Sequence, residues 1–375
     1  MAVRGLEPPR HGARAAVLNI LFLVEGAEIG GGEADVLRLA AGLSERGHRA
    51  VVGAPGRALL DEARARGYTA LCMPRSANLP GAVRAVARAC REHAIDLVSA
   101  YGMRMTLAAG LARRLRLARA PLVTTIRDLS ERASGLRARL VLQRLPDEAI
   151  FASRFERDRI AERWGGAAGQ VIHPWVDVPR PGSIEPIDLE SKHGVPRDAR
   201  VIGYLGALSP EKAVGDVIAA LVRLPEDVYL CIVGEGSEEG ALRAEARRRG
   251  VERRVVFAGA SSEVERYMIG LSALVLPSRQ EALPVSLLEA AALAIPVIAA
   301  DVGGVREIVD PRETGLLYPT GDVDGLVRAI RGILDDPSRA ATLGCAARER
   351  VARVFAAQRF VDETEALFAR VARAD

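Results

Sequence analysis

Short apolar runs alternate with helix-length amphipathic segments along almost the whole chain. The apolar runs predict strands near residues 17–24, 50–53, 69–72, 96–99, 121–125, 148–152 and 170–172, and then near 200–205, 228–233, 254–258, 273–277, 296–300 and 315–318. The amphipathic segments predict helices between them, for instance at 33–46, 82–92, 106–115, 214–223, 237–249, 262–270, 284–294 and 322–334. Such alternation is typical of parallel sheets assembled from βαβ units. It predicts an α/β fold with two Rossmann-like, doubly wound parallel sheets.

A proline-rich break separates the two series of strands. Five prolines lie at positions 174, 179, 181, 186 and 196, which indicates a linker. The sequence predicts a first domain at 15–178 that also includes a C-terminal helix at 355–375, a linker at 179–199 and a second domain at 200–354. We expect the two domains to face each other across a cleft. Because ligands of open α/β sheets lie at the carboxyl ends of the strands, we expect the chemistry in the loops that follow them.

The composition is that of a globular enzyme. Of the 375 residues, 49% are hydrophobic and 27% are charged, which is unlike a disordered chain. The four cysteines lie far apart, at positions 72, 90, 231 and 345, and their spacing favours neither a zinc site nor a disulfide framework. The longest apolar run, 15–24, is too short to span a bilayer, and residues 1–14 lack the pattern of a secretion signal. We therefore expect a cytoplasmic protein.

Charge is distributed unevenly along the chain. Residues 1–180 carry 28 Lys and Arg against 18 Asp and Glu, a net charge of +10, whereas residues 181–375 carry 24 against 30, a net charge of −6. The basic half has neither a basic run nor interleaved aromatic residues, so we expect no nucleic-acid partner. Arginines do alternate with leucines between positions 132 and 144, which favours peripheral contact with the inner face of a membrane. These residues are Arg132, Leu136, Arg137, Arg139, Leu140, Leu142 and Arg144.

The segment 273–308 contains the strongest candidate for a binding site. A buried strand ends near position 277, and Glu281 lies in the loop that follows. A helix begins near Pro284, and Glu289 lies more than one turn inside it. The positive end of the helix dipole and the first N–H groups, those of Val285, Ser286 and Leu287, predict an anion site. This layout suits a nucleotide-diphosphate sugar, whose phosphates need N–H donors and whose hydroxyls need carboxylate acceptors.

The segment resembles the signature of the retaining glycosyltransferases of family 4, in which seven residues separate two glutamates. The match includes Glu281, Pro284, 287–290, 296–298, and the Gly303-Gly304 pair with Glu307. The resemblance implies the GT-B fold and a metal-independent transferase that uses a nucleotide-diphosphate sugar as co-substrate and needs no cofactor. It also implies that Glu281 contacts hydroxyls of the transferred sugar and that Glu289 binds the ribose. The donor-binding stretch would comprise Glu281, Leu283, Pro284, Val285, Ser286 and Glu289.

A second candidate is Lys212, which follows the first strand of the second domain in a chain with only one other lysine. A lysine at the carboxyl end of a strand can neutralise a phosphate. The loop resembles the family's Gly-Arg-Leu segment with its following lysine, in which both cations bind the donor diphosphate. Gly206 is present, but Ala207 replaces the arginine and Ala213 replaces the glycine after the lysine. Losing that arginine would cost roughly 1.5–3 kcal/mol unless another one, such as Arg279, replaces it.

The first half resembles the family more weakly. Gly31 and Gly32 precede a helix and resemble the family's Gly-Gly-Ala-Glu turn, which implies contact with the donor phosphates or with the acceptor. Arg127 and Asp128 follow a strand where the family often carries a histidine, and they are candidate catalytic residues. The five histidines miss the family's catalytic positions, so we interpret them as structural or exposed. Among them, His173 begins a segment that replaces the family's Pro-Asn-Gly-Val-Asp.

Together with these patterns, the resemblance implies a retaining, metal-independent glycosyltransferase of polysaccharide biosynthesis. The predicted catalytic residues are Lys212, Glu281, Arg127 and Asp128. The partners would be a nucleotide-sugar donor and a glycan, lipid-linked or small-molecule acceptor. Two alternatives stay open. One is a phosphorylase or epimerase of the same fold, and the other is a catalytically degenerate sugar-nucleotide-binding protein, which Ala207 and the displaced histidines favour.

Overall fold

The computed structural model describes residues 17–26, 31–74, 78–127, 135–166 and 169–374. The strands within these ranges are β1 (Asn19–Val24), β2 (Arg49–Ala54), β3 (Thr69–Cys72), β4 (Leu97–Tyr101), β5 (Leu122–Ile126), β6 (Glu148–Phe151), β7 (Gln170–Val171), β8 (Arg200–Leu205), β9 (Val228–Val233), β10 (Val255–Gly259), β11 (Ala273–Leu276), β12 (Val297–Ala300) and β13 (Leu316–Tyr318). The helices are α1 (Gly31–Glu45), α2 (Arg57–Ala65), α3 (Leu79–Glu92), α4 (Met103–Arg114), α5 (Leu136–Arg144), α6 (Arg154–Trp164), α7 (Leu189–His193), α8 (Gly215–Leu221), α9 (Glu239–Arg248), α10 (Val264–Met268), α11 (Val285–Ala292), α12 (Val305–Ile308), α13 (Val323–Leu334), α14 (Pro337–Val354) and α15 (Ala357–Arg373).

The first sheet has seven strands in the order β3-β2-β1-β4-β5-β6-β7. β1 pairs in parallel with both β2 and β4, so the direction in which strands are added reverses between β1 and β4. Every residue of β4 is buried. Strands buried on both faces are typical of parallel sheets that helices cover on both sides, which explains why these segments are apolar runs without alternation.

The second sheet has six strands in the order β10-β9-β8-β11-β12-β13, and all of its neighbouring strands run parallel. Strand addition reverses between β8 and β11. Both strands are almost fully buried in one apolar core with the adjoining helices. The point of reversal in such a sheet leaves a crevice at the carboxyl ends of the two central strands, where ligands bind in open α/β sheets.

The chain divides into two compact units. The first comprises Met1–Thr124, Arg144–Glu148 and Thr364–Asp375, and the second comprises Thr125–Gln143 and Ala149–Glu363. Within the first unit, Glu365 of α15 forms ion pairs with Arg46 and with His48, whose Nε2 lies 3.0 Å from the carboxylate. The domain boundaries and the cleft that the sequence predicted remain predictions.

The strands predicted from apolar runs are all present, and their ends differ by at most two residues from the predicted ones. The predicted linker 179–199 contains the short helix α7.

In the basic segment 132–144, Arg132 lies outside the described residues, Leu140 is exposed, and Leu142 is buried and therefore faces the core instead of a surface. Within the described ranges, the helices are all too short or too polar to cross a membrane.

Candidate functional site

Two loops follow the central strands of the second sheet, at the point where the strand order reverses. β8 leads into the loop that carries Lys212, and β11 leads into the loop that carries Glu281. The carboxyl ends of parallel strands meet at one edge of a sheet, so the two loops are neighbours. The backbone N–H of Arg279 donates to the carbonyl of Glu211 at 2.7 Å and joins them directly.

Lys212 and Glu281 form an ion pair at this edge. Lys212 Nζ donates to Glu281 Oε1 at 2.8 Å, and Ser278 Oγ donates to the same oxygen at 2.7 Å. The carboxylate side chain is 8% exposed and the lysine side chain is 25% exposed. A buried charge needs both a counter-charge and hydrogen bonds, and the Glu281 carboxylate has both in Lys212 and Ser278. The structure therefore brings together the two residues that the sequence singled out separately.

The backbone around Lys212 is tightly folded. Gly206 has a φ of 149°, and a Cβ at Gly234 would lie 1.9 Å from the Gly206 carbonyl oxygen, so the β8 loop packs on the next strand end without room for side chains. The Tyr204 hydroxyl donates to the carbonyl of Ala207 at 2.8 Å. Burial, with the nearby carboxylate of Glu281 second, raises the pKa of Tyr204, so the phenol remains a donor. The exposed Ala207 thus sits on a well-fixed backbone.

Arg279 has a partner of its own. Its guanidinium forms two hydrogen bonds to Asp216, at 2.6 and 3.1 Å. These two residues line a cavity of about 280 Å³ between the β8 loop and helix α9. The suggestion that Arg279 takes the place of the arginine absent at position 207 therefore requires it to share or leave Asp216.

Helix α11 begins directly after the Glu281 loop. Pro284 is its N-cap, with φ −73° and ψ 110°, and no side chain caps the first turn. The N–H of Leu287 donates to the Pro284 carbonyl at 3.2 Å, so this N–H is not available to an anion and the predicted set of three donors loses one. Val285 and Ser286 are half-buried at the helix start, next to the half-buried Leu283, and Glu289 is half-buried one turn further on.

A glycine turn supports the backbone of Glu281. The N–H of Gly304 donates to the Glu281 carbonyl oxygen at 3.2 Å. A Cβ at Gly303 would lie 1.8 Å from that same oxygen, and one at Gly304 would lie 1.9 Å from the carbonyl oxygen of Ala282. Only glycine fits such an approach of two backbones, which gives a physical reason for the Gly-Gly pair that the sequence showed.

Two contributors to this region, Ser278 and Glu307, received no role from the sequence, although Glu307 lies in the segment that resembles the family. Ser278, fully buried, binds the Glu281 carboxylate. Its place directly after the end of β11 was the signal that could have found it. Glu307 binds His173 and the first N–H groups of α6, more than 130 residues earlier in the chain. Such a contact leaves no local signal in the sequence.

The candidates in the first half are placed less fully. Gly31 and Gly32 are the first residues of α1, as a glycine turn before a helix predicts. Arg127 directly follows β5 and is half-buried, and Asp128 lies outside the described residues. His48 and His173 are buried and hydrogen-bonded to glutamates, which agrees with their interpretation as structural. In the part of the chain that the structure describes, no three His, Cys, Asp or Glu side chains form a cluster that could hold a metal ion.

Comparison with known proteins identifies relatives for both halves of the chain. The family described as Glycosyltransferase Family 4 matches residues 29–180, and the family described as Glycosyl transferases group 1 matches residues 187–350. The GDP-mannose-dependent alpha-(1-6)-phosphatidylinositol monomannoside mannosyltransferase of Mycobacterium tuberculosis is 32% identical over 335 residues, 82% of this chain and 86% of that protein. The protein of the same description from Mycolicibacterium smegmatis is 31% identical and covers 85% of this chain and 89% of its own.

Solved structures match the fold over nearly the whole chain. Anabaena Alr3699/HepE in complex with UDP superposes with a TM-score of 0.83 at 23% identity and covers 94% of this chain and 100% of its own. Sucrose-phosphate synthase from Thermosynechococcus elongatus superposes with a TM-score of 0.79 at 22% identity, over 95% of this chain and 100% of its own.

The two doubly wound sheets and the site at the β8–β11 reversal define a glycosyltransferase of the GT-B fold. Within that class, the chain belongs to the family 4-like glycosyltransferases.

Proposed function

We propose that this enzyme transfers a hexose from a nucleoside-diphosphate sugar with retention of configuration and without a metal ion. The observation that carries the proposal is the Lys212–Glu281 pair at the reversal point of the second sheet, 2.8 Å apart and next to the start of α11. An ammonium group and a helix N-terminus suit a diphosphate, and a carboxylate suits sugar hydroxyls. The buried Glu281 carboxylate is held by two groups, Lys212 Nζ and Ser278 Oγ, as a side chain that orients a reacting sugar requires.

In the proposed mechanism the bond between the sugar carbon and the diphosphate oxygen breaks, and negative charge grows on the diphosphate. The Lys212 ammonium and the N–H groups of Val285 and Ser286 stabilise that charge, which is the largest source of rate enhancement in such a reaction. Glu281 orients the sugar, and Glu289 binds the ribose. The acceptor hydroxyl attacks the face from which the diphosphate departs, its oxygen forms the new bond to the sugar carbon, and its proton passes to the departing diphosphate. Gly31, Gly32, Arg127 and Asp128 stay candidates for contacts with the donor and the reacting sugar.

GDP-mannose and UDP-glucose are the donors to test first. The mycobacterial relatives are named for GDP-mannose, and the Anabaena structure was solved with UDP and also with UDP-glucose. The mycobacterial relatives are more similar in sequence, at 32% identity against 24% for the Anabaena complex with UDP-glucose, so we propose mannose from GDP-mannose as the transferred group. A thermal-shift comparison decides between them, because a donor at 100 times its dissociation constant adds about 2.7 kcal/mol of stability.

The catalytic proposal is tested with three variants. Lys212→Ala and Glu281→Ala should abolish release of nucleoside diphosphate from the donor while circular dichroism shows a folded protein. Lys192→Ala removes the other lysine, whose Nζ lies 4.0 Å from Glu263 at the surface, and should leave turnover unchanged. Activity near that of the wild type in Lys212→Ala or Glu281→Ala would refute the site. Donor binding without any turnover in the wild type would support the degenerate binding protein instead.

We further propose a lipid-linked or glycan acceptor presented at an anionic membrane surface. The turn after α4 exposes Leu115 (61%) and Leu117 (40%). Three exposed arginines flank these leucines, namely Arg114, Arg116 and Arg119. Adjacent apolar and cationic side chains suit the boundary between acyl chains and anionic headgroups, where leucines insert and arginines pair with phosphates.

This surface is tested by sedimentation with vesicles. The double variant Leu115→Ser with Leu117→Ser should lose binding to phosphatidylglycerol vesicles that the wild type retains. Val222→Ser, at an exposed valine of the second unit, serves as the matched control and should bind normally. Equal binding of the double variant and the wild type would contradict the proposed surface.

A further inference from the structure

A glutamate of helix α12, Glu307, caps helix α6. Glu307 Oε2 accepts the N–H of Arg154 at 3.0 Å, and Glu307 Oε1 accepts the N–H of Phe155 at 2.9 Å. Ser153 is the N-cap residue, and its hydroxyl accepts the N–H of Glu156 at 3.1 Å. The first turn of a helix has N–H groups without partners and the positive end of the dipole, so a carboxylate at this point is doubly favourable.

His173 completes the surroundings of this carboxylate. Its Nε2 lies 2.7 Å from Glu307 Oε2, and the two side chains are 7% and 15% exposed. Burial by itself would raise the pKa of Glu307, but the hydrogen bonds from His173 and from the N–H groups of Phe155 and Arg154 outweigh it and lower the pKa. Glu307 is therefore an anion that accepts three hydrogen bonds, and His173 donates one of them through Nε2. We call Glu307, His173 and the Arg154 and Phe155 N–H groups the Glu307 network.

The Glu307 network is connected to the backbone of Glu281. Glu307 lies on α12, which begins directly after the Gly303-Gly304 turn. The N–H of Gly304 donates to the Glu281 carbonyl oxygen. There is no room for a side chain at Gly303, because a Cβ added there would meet the same carbonyl oxygen and would lie 3.3 Å from the Phe155 ring. Phe155 thus holds Glu307 through its N–H and packs at the turn that holds Glu281.

We propose that Glu307 and His173 are positioning residues for Glu281, a role that rests on the proposed function of Glu281 in binding the transferred sugar. By fixing α12 on the first turn of α6, they fix the glycine turn, and through it the carbonyl from which the Glu281 side chain extends. A displacement of about 1 Å at a reacting group can cost roughly 100-fold in rate, so such support has kinetic consequences.

The test compares Glu307→Gln with the wild type, using the nucleotide pair that the donor screen selects, either GDP with GDP-mannose or UDP with UDP-glucose. The amide offers one acceptor oxygen for three donors, so the network loosens. We expect kcat for donor consumption to fall roughly 10- to 100-fold. Affinity for the sugar nucleotide should fall, while affinity for the nucleoside diphosphate alone, which Lys212 and α11 bind, should stay within about twofold. A purely structural role would lower thermal stability and leave both affinities and kcat unchanged.

Two histidine variants provide a rescue test that does not depend on the folding of Glu307→Gln. His173→Leu removes the donor and should reduce kcat in the same way, whereas His173→Gln keeps an N–H donor and should restore most of it. Equal kcat in the two variants would overturn the positioning role of His173. The matched control is Glu365→Gln, which breaks a glutamate–histidine pair with His48 in the first unit and should leave the kinetics unchanged.

The outcomes separate this inference from the function on which it rests. If Glu281→Ala retains turnover, the proposed site fails. Suppose instead that Glu281→Ala is inactive, but that Glu307→Gln has the kcat of the wild type and the same ratio of affinities for sugar nucleotide and nucleoside diphosphate. The site then stands and the positioning proposal is wrong.

Discussion

Ala213, the residue after Lys212, occupies a conformation that alanine tolerates poorly. Its φ is 50° and its ψ is 35°, in the left-handed region, and it ends the short 3-10 turn Pro210–Lys212. The turn directs the chain into α8 while Lys212 points to Glu281. The family resemblance places glycine at this position, and the backbone of Ala213 has the left-handed conformation that glycine adopts without strain.

We therefore expect Ala213→Gly to stabilise the enzyme. Left-handed backbone costs about 1–2 kcal/mol for residues with a Cβ, and the greater freedom of glycine in the unfolded chain offsets part of that gain. The net increase in the free energy of unfolding should be about 0.5–1 kcal/mol, measured by urea denaturation. Ala207→Gly, at an exposed position nearby, is the control and should be neutral or destabilising. A destabilised Ala213→Gly would contradict the strain at this position.

Ala207→Arg should restore the cation that the family places on the donor diphosphate. Ala207 is exposed, and its carbonyl is held by the Tyr204 hydroxyl, so a longer side chain can be added without moving the loop. A charge-assisted hydrogen bond of about 1.5–3 kcal/mol would tighten nucleoside-diphosphate binding roughly 10- to 100-fold, as measured by calorimetry. Ala207→Gln, which is similar in length but neutral, should gain much less. Equal affinity in the two variants would mean that no phosphate lies near position 207.

At the scale of elements, a carboxylate of helix α15 belongs to a polar cluster in the first unit. Glu365 on this helix pairs with Arg46 after α1 and with His48 before β2. His48 Nδ1 in turn accepts the N–H of Leu18 at 3.1 Å. The last helix of the chain thus contacts the start of the first unit through a polar cluster whose members are far apart in sequence.

This contact predicts an acid-sensitive contribution to stability. Burial raises the pKa of Glu365, but hydrogen bonds from His48 and Arg46 outweigh it, so the pKa lies below its usual 4.5. The stabilisation is therefore complete above pH 4.5 and is lost as the pH falls through the lower folded-state pKa.

Glu365→Gln should lower the free energy of unfolding by about 1 kcal/mol at pH 7, and the difference from the wild type should shrink at acid pH. Glu363→Gln, in a half-exposed i,i+4 pair with Arg359, should cost only a few tenths of a kcal/mol. A loss in Glu365→Gln that does not change with pH would be inconsistent with an ionised Glu365.

At the scale of the whole molecule, thiol chemistry reports the integrity of both units. Cys72 and Cys345 are exposed, whereas Cys90 of the first unit and Cys231 of the second are buried. Burial raises the pKa of Cys90 to about 11 and that of Cys231 to about 12, so neither forms the reactive thiolate near neutral pH.

We expect a thiol-specific reagent at pH 8 to label two cysteines of the native enzyme quickly and all four after urea denaturation. Mass spectrometry of the labelled peptides identifies the sites. Because Cys90 and Cys231 belong to different units, the urea concentration at which each becomes labelled shows whether the units unfold together. Rapid labelling of Cys231 in the native state would contradict the buried core of the second sheet.

The strands, the doubly wound class and the shared sheet edge of the loops that carry Lys212 and Glu281 could be expected from the sequence because each depends on local patterns. Apolar runs specify buried strands, and the position of a loop after a strand specifies the edge of the sheet to which it belongs. The Glu281 segment was also long enough to identify the family. The roles of Arg279 and Leu287 could not be read in this way, since Asp216 and the Pro284 carbonyl occupy groups that the sequence left available.

The sequence by itself determined where the strands lie, which residue types stand at their carboxyl ends, and the family to which the chain belongs. Tertiary structure decided which side chains meet: Ser278 and Lys212 on one carboxylate, and His173 with the start of α6 on Glu307. The physical reason is that periodicity and propensity act over a few residues, whereas a buried charge finds its partners only when packing brings distant segments together. Glu307 and His173, 134 residues apart, are partners that only the folded chain could supply.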